Sequence, residues 1–232
     1  MADHKLLRLS ATLLFIGFLL FEVVGNFLHP SGANDHKAAF TNYAASGDWT
    51  AIHLGQFVAM AVLIAGLLVL YFALNVSEGT PRWLGLFGAI AAGVALALYG
   101  VLQAVDGVAL KQAVDAWASA PAAEQATRFA SAEAIRWLEW GTHSYQNFML
   151  GLAEVLLGLV IVWTARVPRP IGYLMGLSGL AWLVTGWVIG TEGFAAIGAL
   201  PSDAAQAFLP ASIIWLLIVA WRRKEAVQPA PA

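Results

Sequence analysis

The sequence predicts an all-α, polytopic integral membrane protein: a single transmembrane domain of six helices, residues 1–232, with both termini in the cytoplasm. Three observations carry that expectation. Hydrophobic residues make up 60% of the chain, charged ones only 11%, and mean hydropathy is +0.73, so there is too little polar surface to cover a soluble domain. Six windows are apolar and long enough for about 30 Å of hydrocarbon. The basic residues also divide unevenly between the two sides of such a bundle.

The windows fall at 6–28, 52–74, 83–105, 140–164, 171–190 and 207–221. The fifth is glycine-rich and the sixth is short. Trp49, Trp83, Trp140 and Trp221 stand near the window ends, where an amphipathic ring suits the headgroup region. Lys5, Arg8, Arg82, Arg166, Arg169, Arg222, Arg223 and Lys224 fall on one side, against Lys37, Lys111, Arg128 and Arg136 on the other. The positive-inside rule makes the first side cytoplasmic. Ser31-Gly32-Ala33 has the small residues of a signal-peptide cleavage site. Glu22, Asn26 and His29 are a poor run-up to cleavage, so the first window reads as a span that stays. The alanine- and glycine-rich style points to a bacterial inner membrane.

The connections differ by side. Those around 75–81 and 165–170 are short and close with glycine or proline, as tight helical hairpins do. The outer segment 107–137 is longer. Val108, Leu110, Val114 and Trp117, then Phe129, Ala132 and Ile135, predict two amphipathic helices around a break at 118–123, the second running into the fourth span.

Polar residues gather in the outer halves of the windows. Glu22, Asn26 and His29 share a face at i, i+4, i+7, as do Tyr99, Gln103 and Asp106. His53 and Gln56 enter on the second span, and Glu139, His143 and Asn147 follow at i+4 steps on the fourth, with Glu154 near midplane. Ionisable groups in hydrocarbon cost about 2.5–3.5 kcal/mol on insertion scales, so this clustering predicts an outward-facing polar pocket. For residues taken singly, interfacial capping explains His29, and interhelical hydrogen bonding explains Gln56, Asn26 and Asn147.

Three chemistries fit such a pocket. The leading one is b-type haem for electron transfer, with His53 and His143 as axial ligands, Arg136 meeting a propionate, and Gly55 and Gly141 admitting the macrocycle. The second is a zinc or iron centre using His53, His143, Glu139 and Asp106, in a membrane hydrolase or lipid-modifying enzyme with Glu22 or Glu139 as general base. The third is proton-coupled transport or a small-solute channel through Glu22 and Glu154, on an inverted repeat of spans one to three and four to six. A structural subunit that binds no cofactor is the remaining reading. The expected partners are the lipid bilayer and a redox partner or small-molecule substrate at the outer face.

Other classes lack their signatures. A net charge of -2 gives no footprint for nucleic acid. The absence of cysteine removes disulfides, thiolate metal sites, iron–sulfur clusters and covalently attached haem. No serine elbow, phosphate loop or dinucleotide turn occurs, and no lysine lies within a window to form a retinal Schiff base.

Overall fold

The computed structural model describes residues 2–29 and 34–222, and among them every regular element is helical. Helix α1 (His4–Phe21) starts where Asp3 accepts hydrogen bonds from the amides of Lys5 (2.9 Å) and Leu6 (3.1 Å). It continues as a π-helical stretch, Glu22–Leu28. Helix α2 (His36–Ala45) is capped by Asp35, and α3 (Trp49–Leu74) ends on Asn75 in the left-handed region, φ 48°. Helix α4 (Gly79–Ala104) runs through a second π-helical stretch, Val105–Leu110, into α5 (Lys111–Ala118). Helix α6 (Gln125–Thr164) ends at Ala165, φ 50°. Helices α7 (Arg169–Glu192) and α8 (Ala199–Arg222) complete the chain, joined by Gly193 and a 3₁₀ turn.

Six helical segments are long and apolar enough to cross a membrane: His4–Gly25, Trp49–Leu74, Gly79–Ala118, Gln125–Thr164, Arg169–Glu192 and Ala196–Arg222. The protein is therefore an all-helical, multi-pass membrane protein. The Asp3 amide donates to Ala73 O (2.8 Å), tying the start of α1 to the end of α3, and Arg8 Nε donates to Ala220 O (3.2 Å), tying α1 to the last turns of α8. Ser31-Gly32-Ala33, Arg223 and Lys224 lie outside the described residues, as does the side chain of Asn26.

Two of the sequence boundaries need correction. The sixth window, 207–221, begins about two turns into α8, because Pro201, Asp203 and Pro210 lower the helix's apolarity without stopping it. Pro201 sits in the first turn, where its missing N–H costs nothing. Trp49, expected at an interface, is 1% exposed and belongs to a packed cluster.

Two cores result. The larger fills the bundle with Leu7, Leu14, Ile64, Leu67, Leu157, Ile161, Met175 and Ile213. The smaller holds Phe40, Tyr43, Trp49, Leu110, Val114 and Ala132, with Trp117 and Phe129 against it. Its position follows from helix length. The 40 residues of α6 span about 60 Å, twice the hydrocarbon thickness, so the first turns of α6 stand beyond the bundle and pack with α5 and α2 as a cap.

Helices α6 and α7 meet on small residues. Ser144, Gly151 and Gly158 recur every seventh position on α6, and Gly172, Gly179 and Gly186 on α7. A methyl added at Gly151 would stand 2.5 Å from Gly179 O, and one at Gly158 2.6 Å from Gly172 O. The backbones are thus in contact, the arrangement by which helices associate where no hydrophobic effect separates side chain from solvent.

Candidate metal centre and its cavity

Three elements converge at the capped end. Helix α3 carries His53, whose Nδ1 lies 2.8 Å from the carbonyl of Trp49, one turn earlier. A carbonyl only accepts, so Nδ1 donates to it, and Nε2 is the ring nitrogen turned toward the other two residues. That Nε2 is 3.0 Å from Asp106 Oδ2 and 3.3 Å from His29 Nε2. Ligand atoms of His29, His53 and Asp106 all lie within 4.8 Å of one another. His53 and Asp106 are buried, and Asp106 Oδ1 has no hydrogen-bond partner.

Both π-helical stretches serve this cluster. Asp106 lies inside Val105–Leu110, and His29 is the residue that ends Glu22–Leu28. Such stretches are rare and re-aim side chains relative to α-helical periodicity. The second is pinned to α3 by Trp49 Nε1, which donates to Asp106 O (2.9 Å), and by Thr50 Oγ1, which donates to Gly107 O (3.0 Å). Gly107 is required by proximity, since a Cβ there would stand 2.5 Å from His53 Cβ.

A cavity with about 1110 Å³ of empty volume, its mouth included, adjoins the cluster. His29 and Asp106 line it, and His53 stands behind them. Glu22, Gln56, Gln103, Arg136, Glu139, His143 and Asn147 line it as well, so most of the polar residues singled out in the sequence share one chamber. Glu154 does not. It is fully buried farther along α6, where Ser178 directs its hydroxyl to Ala205 O (3.2 Å) and both Glu154 oxygens lack a partner of hydrogen-bond geometry.

The wall formed by α6 is built around an ion pair. Arg136 Nη1 donates to Glu139 Oε2 at 2.5 Å, with both residues 1% exposed. The guanidinium lies over the rings of Phe194 (5.0 Å), Tyr43 (5.5 Å) and Trp140 (5.9 Å). His143 Nδ1 is 3.9 Å from Glu139 Oε1, an ion-pair separation longer than a hydrogen bond. Burial pushes the Tyr43 phenol up to about 12, against the pull of the neighbouring Arg136 charge.

This geometry regroups the expected ligands. His53 and Asp106 come together, His29 joins them, and His143 and Glu139 form no such group with them among the described residues. Arg136 gives Nη1 to Glu139, while its Nε and Nη2 have no partner of hydrogen-bond geometry. Asp106 and His29 occupy the approach to His53 Nε2. Gly55 packs on Val24, whose Cγ1 would be 3.1 Å from an added Cβ, so it opens no slot for a macrocycle.

Compared with protein-family models, curated proteins and solved structures, the chain matches none of them.

Proposed function

We propose that the protein is a metal-dependent membrane enzyme, a hydrolase or lipid-modifying enzyme, with zinc or iron held by His29, His53 and Asp106. The reading rests on one observation: two imidazole nitrogens and a carboxylate oxygen from three separate helical elements face each other, with the His53 tautomer set by the Trp49 carbonyl. A backbone carbonyl on the far ring nitrogen is the usual outer partner of a metal-ligating histidine. Three protein ligands leave a coordination position for water or substrate, the pattern of catalytic rather than structural zinc sites. Because His29 and Asp106 line the cavity, that position faces a molecule held there.

The chemistry a bound divalent ion supplies is polarisation of an oxygen and activation of water near neutral pH. Glu22 lines the same cavity and is the carboxylate on span one for proton transfer, whereas Glu139 is held by Arg136. By the positive-inside rule the terminal end is cytoplasmic and the centre lies in the opposite leaflet.

The test is elemental analysis of the purified protein, together with absorption spectra before and after reduction. One zinc or iron per chain is expected, lost in His53→Ala and Asp106→Asn and kept in His143→Ala. Metal content indifferent to His53→Ala sinks the proposal. A Soret band that disappears in both His53→Ala and His143→Ala restores the haem reading.

A further inference from the structure

The cavity changes character with depth. On three of the segments that line it, polar residues near the cap give way to apolar ones farther in: Glu22 to Phe18 on span one, Gln56 to Met60 and Leu63 on α3, Gln206 to Leu209 on α8. One side is formed by the Glu22–Leu28 stretch, which packs on α1 and α3 while Phe27 stands 81% exposed at its end. Ala205 and Leu209 of α8 line the chamber too, together with Phe18 and Phe21 of span one.

At the polar end donors and acceptors alike stand unpaired, Gln103 Oε1 and Asp106 Oδ1 among the acceptors. Arg136 Nε and Nη2, Asn147 Nδ2 and Trp182 Nε1 have no partner, though Arg136 and Asn147 are at most 2% exposed and all three residues line the cavity. A guanidinium and an indole can only donate, so the missing partner is an acceptor. Formal charge adds a condition. The lining carboxylates Glu22, Asp106 and Glu139 outweigh Arg136 by two, and a divalent ion at the triad cancels that excess.

We propose that the cavity takes a single-chain membrane lipid with an oxyanion head, a carboxylate or phosphate monoester, its head between the triad and Arg136 and its chain against Phe18, Met60, Leu63 and Leu209. The inference deepens the metal reading and rests on it, since the ion makes the chamber neutral enough to admit an anion. The oxyanion then accepts from Arg136, and the chain replaces empty volume with apolar contact.

The test uses the full-length, zinc-loaded protein in detergent and compares four probes: oleoyl lysophosphatidate, oleate, neutral mono-oleoylglycerol and inorganic phosphate. Both anionic lipids should bind once per chain and at least tenfold more tightly than the neutral lipid, and phosphate at equal concentration should not compete. Met60→Trp and Leu209→Trp, which fill the apolar end from two helices, should each weaken lysophosphatidate binding at least tenfold with zinc content unchanged. Equal binding of the neutral lipid, competition by phosphate alone, or wild-type binding by both tryptophan variants overturns the inference. Zinc measured on the same samples separates the two readings. Zinc without lipid binding removes this one alone, whereas lipid binding without zinc removes the metal reading and the charge argument built on it.

Discussion

The two ends of the bundle are built on opposite rules. At the terminal end, α6 and α7 touch backbone to backbone through glycines, the core is aliphatic, and the hairpins close on left-handed Asn75 and Ala165. At the capped end the helices leave α-helical periodicity twice, bury an Arg–Glu pair and two of three mutually facing ligand residues, and part around a cavity. Close packing leaves little room for alternative arrangements, so the first end fixes the helices. The second spends that rigidity on holding polar groups whose burial is unfavourable unless each finds a partner.

Disrupting the tight end should have the largest effect. Gly151→Leu places a side chain where even a methyl meets Gly179 O at 2.5 Å, and should cost about 3 kcal/mol or more, read as a large fall in detergent melting temperature. Next comes the ligand cluster. Zinc at 100 times its Kd should stabilise the wild type by about 2.7 kcal/mol, and that zinc-dependent shift in melting temperature should vanish in His53→Ala while persisting in His143→Ala. If both variants keep the shift, the contrast between the ends is one of packing alone.

The cap offers a test with a fixed sign. Tyr43 titrates at about 12 in the folded protein against 10.0 for a free phenol, so folding favours its neutral form. Its contribution is fully present below pH 10 and is lost as pH rises through 12. The alkaline fall in melting temperature should therefore be shallower in Tyr43→Phe. The smallest expected effect is that of Gly107→Ala, which pushes Asp106 from His53 and should weaken zinc binding about tenfold, or about 1.4 kcal/mol, with the aliphatic core untouched.

The six spans were legible because apolar length reports directly on the bilayer, and the run of α6 from cap into span four was legible from its periodicity. The cavity was legible as a region: polar stripes on four helices do line one chamber. Which residues meet within it was not. His29 follows a π-helical stretch and has extended backbone, φ -84° and ψ 130°, so helical spacing no longer predicts its direction. His53 and His143 both stand near the outer ends of their windows, yet place along a helix does not specify neighbours. Helix α2 escaped notice because ten residues with a weak apolar stripe resemble a loop. The glycines of α7 made that span look doubtful, although their seven-residue spacing against Ser144, Gly151 and Gly158 was already a packing signal.

His53 is oriented by a carbonyl of its own helix, and its two companions lie on the elements that precede and follow that helix. The whole ligand set is therefore synthesised by residue 106, before any part of α6 exists. In the N-to-C order in which chains emerge, the Arg136 wall is added only after all three of these residues have been made.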